Sequence, residues 1–341
     1  MDYEAWQPNA HSVEPEGSTD LVEVSYGAVK SAEVPAPMLI LDAEASAQFA
    51  WEEFIFGSIR NLNTRANYER AIRKFLGHCE QLGKSLRQIS PRDVGDYLDG
   101  SKEYSTATKK LHLSAIRRFF DKLVLRHAIV LNPAASVRAE KLRVKEGKTP
   151  EISVQLCRRL LTSIDCDQLV GKRDKAIIAI LIYTAARVGA VAELRRGDFY
   201  DDGEQFYFRF KEKGGTSREI PARLDLQRML QSYLADSGLD YADKSSPLFR
   251  TAIRRTQRLT QNGMSRNDIC RMVKRRMKNA KISERFSPHS FRVTAITDLL
   301  KQNVPLSDVQ NLAGHADPRT TRLYDRRGRD VTRNIVERIS V

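Results

Sequence analysis

Six residues in the C-terminal half of this 341-residue chain carry side chains suited to chemistry on a phosphate ester. They are Arg187, Lys213, His289, Arg292, His315 and Tyr324. Guanidinium groups bind phosphate oxygens through paired donors, histidines exchange protons near neutral pH, and a tyrosine hydroxyl can act as a nucleophile. In this order and spacing, the set predicts a site that holds a phosphodiester while the tyrosine attacks it.

The two arginines each have a structural explanation beside the functional one. Arg187 follows the apolar run 177–182. This predicts a guanidinium carried into the interior, where it needs an anion. The structural alternative is an ion pair or a contact at a helix C-terminus. Arg292 and His289 follow a Ser-Pro pair at 287–288, which is typical of a helix start. Their spacing places both side chains on one face of the first turns, where backbone N–H groups suit a phosphate; the alternative is a solvated surface pair.

His315 and Tyr324 complete the set. His315 follows Gly314, and glycine favours a turn that lets the backbone approach a ligand closely. Asp317 and Pro318 predict the start of another helix, with Tyr324 near its end. A single tyrosine in a helix also packs commonly into a core or an interface, so its assignment as a nucleophile depends on the complete set.

The elements that must position these residues are predicted to be mainly helical. Between 46 and 137, apolar residues at helical spacing indicate a bundle of amphipathic helices with basic polar faces. Asn63 or Thr64 is predicted to cap the second helix, Ser90 with Pro91 to open the third, and Thr106 or Thr108 to precede the fourth. The whole chain divides into an acidic flexible arm at 1–45, the helical bundle at 46–137, a basic linker at 138–150, a mainly helical second domain at 151–327 and a tail helix at 328–341.

One β-hairpin is predicted in the second domain. Phe206, Phe208 and Phe210 alternate with polar or less apolar residues, and the segment 218–221 lies beyond a turn that contains two glycines. Lys213 falls in this turn, at the tip of the hairpin. A second strand signal, at 21–26 in the acidic arm, is short.

The charge is unevenly distributed. The formal net charge is +14, but residues 1–45 hold nine acids and one base, so the remainder carries +22. So basic a body favours a polyanionic partner such as nucleic acid; the alternative is a basic surface that serves solubility. Four scattered cysteines fit neither a zinc site nor a disulfide framework, there is no secretory pattern, and the longest apolar stretch is too short for a bilayer. These features predict a soluble intracellular protein without a membrane partner.

Read together, these segments resemble the tyrosine recombinases of the phage integrase family. The matching motifs are Thr184-Ala185-Ala186-Arg187, the Lys213 hairpin with Arg218-Glu219-Ile220-Pro221, Pro288-His289-Ser290-Phe291-Arg292, Leu312-Ala313-Gly314-His315, Thr320-Thr321, and Tyr324 nine residues after the histidine. The resemblance covers residues 46–341. It implies an N-terminal SAM-like, core-DNA-binding helical bundle, followed by a mainly helical catalytic domain with a small antiparallel β-sheet.

The resemblance also implies a role for each site residue. Tyr324 attacks phosphorus and forms a 3′-phosphotyrosine, Arg187 and Arg292 hold the non-bridging oxygens, and Lys213 protonates the departing 5′-oxygen. His289 assists proton transfer at the tyrosine, and His315 donates a hydrogen bond to the phosphate. No ATP, metal or organic cofactor is implied. One position departs from the family pattern, because Ala190 stands where an acidic residue is common, with Glu193 three residues further on.

The implied function is site-specific recombination of double-stranded DNA through a Holliday junction, in the cytoplasm at the nucleoid. The implied assembly is a homotetramer on DNA, with accessory DNA-bending proteins as further partners. The tail helix carries Val331, Ile335 and Ile339 on one stripe, which suits a contact between protomers or packing on its own domain. Two alternatives use similar residues: a tyrosine-type topoisomerase or hairpin resolvase, and a DNA-binding regulator that has lost catalysis.

Overall fold

The computed structural model describes residues 35–140, 149–211, 217–253 and 256–325. Contacts along the chain define two compact units, with the boundary between Leu142 and Arg143. The predicted linker at 138–150 spans this boundary, and most of it lies outside the described residues. None of the helices within the described ranges is long and apolar enough to cross a membrane.

The N-terminal unit is a helical bundle, as the sequence predicts. Its helices are α1 (Met38–Leu41), α2 (Ala45–Glu52), α3 (Leu62–Gln81), α4 (Pro91–Gly100) and α5 (Thr106–Leu125), and α2 continues as a π-helical turn at Glu53–Ser58. Aromatic side chains fill its core: the rings of Trp51 and Phe54 each lie 5.6 Å from that of Phe119, and Phe75 packs edge-on against Phe120. The amphipathic spacing therefore identified the buried faces correctly.

The capping residues differ from the predictions in two of three cases. Helix α4 begins at the expected Ser90-Pro91 pair. Helix α3 begins earlier than expected, because the side chain of Asn61 caps it by accepting from the Thr64 N–H at 3.1 Å. Helix α5 is capped by Ser105, whose hydroxyl accepts from the Thr108 N–H at 3.2 Å. Several serines, threonines and asparagines stand near these starts, and only the backbone geometry selects the residue that caps.

The predicted flexible arm is too long at its C-terminal end. Helix α1 lies within it, and Leu39 and Ile40 are buried in the core of the bundle. The Leu39 N–H donates to the Glu80 side chain at 3.1 Å, and Arg73 donates to the carbonyl of Pro35 at 2.7 Å. Residues from 35 onward therefore belong to the bundle, because two apolar side chains outweigh the acidic composition of the segment. Residues 1–34, with the predicted strand at 21–26, lie outside the described residues.

The C-terminal unit is mainly helical as well. Its helices are α6 (Val154–Thr162), α7 (Leu169–Tyr183), α8 (Val188–Ala192), α9 (Leu224–Ser237), α10 (Arg266–Asn279), α11 (Pro288–Lys301), α12 (Leu306–Ala313) and α13 (Pro318–Arg322). Helix α7 is central and packs against α6, α9, α10 and α11. Residues 176–181 of this helix are completely buried, which explains why its sequence is apolar on every side.

Two antiparallel sheets flank these helices. The first contains β1 (Phe199–Asp201), β2 (Phe206–Lys211) and β3 (Ser217–Pro221) in that order, and the second pairs β4 (Arg250–Ala252) with β5 (Leu259–Gly263). The predicted hairpin is confirmed: β2 pairs with β3, with Phe208 opposite Ile220 and Lys211 opposite Ser217. The sequence missed β1, β4 and β5, which are short and have no sustained alternation. Lys213 lies outside the described residues.

A buried charge network joins α7 to α10. The carboxylate of Asp174 is fully buried and accepts from Arg173 at 2.7 Å and from Arg276 at 2.8 Å. Arg275 also reaches it, at 3.1 Å. An isolated buried carboxylate would be costly, so these guanidinium groups make its burial tolerable and fix the two helices in register.

Candidate active site

The candidate site is built on a small apolar cluster beside the end of α12. Ala185, Ile296, Val309 and Ala313 are buried together there, and Tyr324 packs against them. The cluster joins the segment after α7 to α11, α12 and the segment after α13. Residues far apart in the sequence are brought to one place in this way.

Arg187 lies outside the core, contrary to the sequence prediction of a buried guanidinium. Helix α7 ends at Tyr183, and Ala185 adopts a left-handed conformation with φ 51°. This turn takes the chain out of the interior, so that Arg187 is exposed at the start of α8. Its guanidinium donates to the carbonyl of Gly314 at 3.5 Å.

Arg292 is the deeply buried arginine of the site, at 1% exposure. It projects from α11, and its guanidinium donates to the carbonyl of Ala185 and, at 2.5 Å, to the carbonyl of Ala313. These two bonds connect the turn after α7 with the end of α12. They also fix the plane of the guanidinium, which determines the direction in which its donors point.

His289 lies in the first turn of α11 and is exposed. The predicted helix start is confirmed: α11 begins at Pro288 and the Ser287 N–H donates to the Ser290 hydroxyl at 3.1 Å. Desolvation and the charges of Arg292 and Arg187 lower the pKa of His289 below its ordinary value. Its imidazole is therefore neutral at pH 7 and able to accept a proton.

His315 is buried and makes hydrogen bonds through both its ring and its backbone carbonyl. The preceding Gly314 has φ 61°, so the predicted glycine turn is present and ends α12. The Nδ1 atom of His315 lies 2.9 Å from the hydroxyl of Thr321. Burial, followed by the charges of Arg292 and Arg187, lowers the pKa of His315 to about 4. The side chain is thus neutral at physiological pH and retains one N–H donor.

Tyr324 lies beside His315. Its ring stacks on the imidazole, with centroids 5.8 Å apart and an angle of 12° between the planes. Helix α13 begins at Pro318 as predicted, and the Asp317 side chain accepts from the Arg319 N–H at 2.8 Å. Tyr324 follows two residues after that helix ends and is half-buried. The ring therefore faces the other site residues instead of an unrelated surface.

Five of the six predicted site residues thus lie in one region, and the sixth, Lys213, is outside the described residues. The sequence did not reveal that Thr321 hydrogen-bonds His315 or that Arg218 hydrogen-bonds the Leu312 carbonyl, although both residues stand in the quoted motifs. Ala190, which stands where the family commonly has an acidic residue, is half-buried on α8 and packs against the core. Within the described ranges, no group of three histidine, cysteine or carboxylate side chains is placed to hold a metal ion.

Comparison with known proteins defines the class. The phage integrase family model matches residues 155–329, and the model of the phage integrase N-terminal SAM-like domain matches residues 51–127. The chain therefore belongs to the phage integrase family and is a tyrosine recombinase.

Among its curated relatives is tyrosine recombinase XerD of Ralstonia nicotianae. It is 28% identical over 276 residues, covering 80% of this chain and 86% of the relative. Tyrosine recombinase XerC of Anoxybacillus flavithermus is 29% identical over 272 residues, covering 76% of this chain and 86% of the relative.

Solved structures share the fold. A lambda integrase dimer bound to a COC′ core site has a TM-score of 0.61 at 20% identity, covering 84% of this chain and 96% of that chain. The XerH recombinase in a post-cleavage complex with palindromic difH has a TM-score of 0.64 at 19% identity, covering 83% of this chain and 82% of that chain. At these identities the likeness concerns the fold alone.

Proposed function

We propose that this chain cuts and rejoins double-stranded DNA at specific sites, through a 3′-phosphotyrosine intermediate and a Holliday junction, without ATP or metal. The observation that carries the proposal is the stacking of Tyr324 on His315 at 5.8 Å, beside the carbonyl that Arg292 holds. These contacts support the proposal, because they bring a phenol, a neutral imidazole and two guanidinium groups into one region.

In the first step, the hydroxyl oxygen of Tyr324 attacks phosphorus and the bond from phosphorus to the 5′-oxygen breaks. The tyrosine proton passes to His289, whose lowered pKa leaves it neutral and able to accept it. The departing 5′-oxygen takes a proton from Lys213. The products are a phosphotyrosyl bond at the 3′ end and a free 5′-hydroxyl.

Arg187 and Arg292 stabilise the negative charge that develops on the non-bridging oxygens. Arg187 is exposed, whereas Arg292 is buried and is fixed by the carbonyls of Ala185 and Ala313. Donors held in place before the reaction need no reorganisation when the charge appears. A tyrosine is a weak nucleophile at neutral pH, so these cations supply much of the rate.

His315 acts as a neutral hydrogen-bond donor to the phosphate. With Nδ1 facing the Thr321 hydroxyl, the proton of the neutral ring resides on Nε2 when that hydroxyl donates to Nδ1. In the second step, the 5′-hydroxyl of another strand attacks phosphorus and loses its proton to Lys213. The bond from phosphorus to Tyr324 breaks, and the protonated His289 returns its proton to the tyrosine oxygen. The phosphodiester energy is retained in the covalent intermediate, so no ATP is needed.

We further propose a homotetramer on two DNA sites in the cytoplasm, at the nucleoid. A lambda integrase tetramer bound to a Holliday junction has a TM-score of 0.60 with this chain, which supports the assembly. The tail at 328–341, proposed as a protomer contact, lies outside the described residues. Accessory DNA-bending proteins are proposed as further partners.

The experiment begins with genomic DNA of the source organism. Fragments incubated with the protein are denatured in detergent, and the DNA linked covalently to protein is recovered and sequenced. The site found in this way is made as a nicked suicide substrate, from which the cleaved strand cannot be rejoined. We expect the native protein and Tyr241→Phe, which changes an exposed tyrosine, to form the adduct, and Tyr324→Phe to bind DNA without forming it.

Two results would overturn the proposal. An adduct that persists in Tyr324→Phe would assign the nucleophile elsewhere, and DNA binding without any adduct in the native protein would indicate a regulator. Two intact copies of the site then test strand exchange. Trapped junctions with exchanged strands are expected, whereas relaxation of supercoils without exchange would indicate a topoisomerase.

A further inference from the structure

Three arginines meet at the end of helix α12. The carbonyls of three successive residues, Leu312, Ala313 and Gly314, each accept a hydrogen bond from a guanidinium. The donors come from three different parts of the unit. In the same order they are Arg218 of β3, Arg292 of α11 and Arg187 at the start of α8.

This arrangement has a clear physical basis. The last carbonyls of a helix lack partners within it, and they form the negative end of the helix dipole. Guanidinium groups satisfy such carbonyls and are attracted to this end. His315 is the next residue along the chain, and the ring of Tyr324 stacks on its imidazole. Whatever fixes the end of α12 therefore also fixes both side chains.

Arg218 is the member of this trio to which the proposed mechanism gives no role. It is half-buried on β3 and lies directly opposite Phe210 in the hairpin register. Its guanidinium is 5.5 Å from the centre of the Phe210 ring, and Phe210 is completely buried. The arginine is thus supported by the core on one side and donates to the Leu312 carbonyl on the other.

A neighbouring arginine provides a natural contrast. Arg209 on β2 points to the other face of the sheet, where it pairs with Glu219 at 2.9 Å and stacks on Tyr200 at 4.6 Å. Both arginines lie on the same hairpin, and each packs against an aromatic ring. Of these two arginines, Arg218 is the one that donates to the end of α12, the helix that precedes His315.

We propose that Arg218 is a positioning residue for DNA cleavage: through the Leu312 carbonyl it fixes the end of α12, and hence the places of His315 and Tyr324. The proposal rests on the proposed function, since it concerns the same site. The charge of Arg218 also contributes to lowering the pKa of His315, after burial and the charges of Arg292, Arg187 and His289. The competing role is a direct contact with DNA phosphate.

The test compares Arg218→Met, Arg218→Lys and the control Arg209→Met on the nicked suicide substrate. Methionine keeps an apolar stem against Phe210 and removes every donor, whereas lysine keeps one donor. We expect Arg218→Met to form the covalent adduct about tenfold to a hundredfold more slowly at saturating protein, because small misplacements of reacting groups have effects of this size. Arg218→Lys should recover part of the rate, and Arg209→Met should match the native protein.

Two further measurements separate positioning from a phosphate contact. Loss of a phosphate contact lowers the slope of DNA affinity against salt by about one, whereas loss of a positioning bond leaves this slope unchanged. A neutral methylphosphonate at the cleavage position reduces the need for a cation on the phosphate. We therefore expect an unchanged slope for Arg218→Met and no recovery of its rate with the methylphosphonate.

The outcomes are distinct. A reduced slope together with recovery on the methylphosphonate would overturn the positioning role in favour of a phosphate contact. A native rate in Arg218→Met would remove any role in cleavage. If that variant fails to fold, a fully native rate in Arg218→Lys would contradict the proposal and a reduced rate with an unchanged slope would support it. Failure of the native protein to form an adduct would instead refute the proposed function.

Discussion

Protonation of His315 should destabilise the C-terminal unit. The side chain is 7% exposed, and Arg292, Arg187 and Arg218 place positive charge around it, joined by His289 when that ring is protonated. Burial and these charges disfavour the imidazolium and lower the pKa from the ordinary 6.5 to about 4. In the unfolded chain, the side chain regains the ordinary pKa, so folding and protonation are linked.

The sign and size of the linkage follow from these two pKa values. Between pH 6.5 and about 4, the unfolded chain binds a proton that the folded chain does not. The stabilising contribution is therefore complete above pH 6.5 and is lost as the pH falls through this window. The full difference is about 3 kcal/mol, and lowering the pH from 7.5 to 5 removes about 2 kcal/mol of it.

The assay uses the full chain labelled with ¹³C at the Cε1 positions of its six histidines. His315→Gln, which is uncharged at every pH, identifies the signal by its absence, and NMR titration gives the pKa. Urea unfolding at pH 7.5 and 5, followed at the His289 signal, gives the stability of the C-terminal unit. We expect the native protein to lose about 2 kcal/mol more than His315→Gln between these pH values. The control His127→Gln changes an exposed histidine of the other unit and should behave as the native protein.

Two results would refute this reasoning. A His315 signal that titrates near 6.5 would mean that the imidazole is solvated in the folded protein. The same loss of stability in His315→Gln as in the native protein would assign the linkage to other groups. His112 and His289, whose pKa values are also lowered, are present in both proteins and cancel in the comparison.

Two further predictions concern the supports of the site and of the unit. Thr321→Val removes the hydroxyl that lies 2.9 Å from the imidazole of His315 while keeping the side-chain shape. We expect this variant to form the covalent adduct about tenfold more slowly at unchanged DNA affinity. Equal rates in Thr321→Val and the control Thr320→Val would argue against a role of the hydroxyl in positioning His315. Asp174→Asn leaves the buried Arg173 without its carboxylate, so urea unfolding should show a decrease of about 3–5 kcal/mol in the free energy of unfolding. Asp236→Asn changes a partly exposed pair with Lys172 and should decrease the free energy of unfolding by less than about 1 kcal/mol. Similar decreases in both variants would contradict the role of burial.

The sequence alone determined the elements that depend on local pattern. The alternation of Phe206, Phe208 and Phe210 identified the hairpin, because side chains alternate between the two faces of a strand. The Ser-Pro pair at 287–288 identified the start of α11, and Gly314 identified the turn before His315. These signals act within a few residues and need no knowledge of the rest of the chain.

Only the tertiary structure decided how these elements meet. The sequence predicted a buried Arg187 and gave no part to Arg218, yet Arg187 is exposed and Arg218 holds the end of α12. The bond from Arg292 to Ala185 spans 107 residues of sequence, and that from Arg218 to Leu312 spans 94. Local spacing fixes which face of a helix or strand a side chain occupies. Which carbonyl it reaches depends on the packing of whole helices around α7, and that is a property of the complete fold.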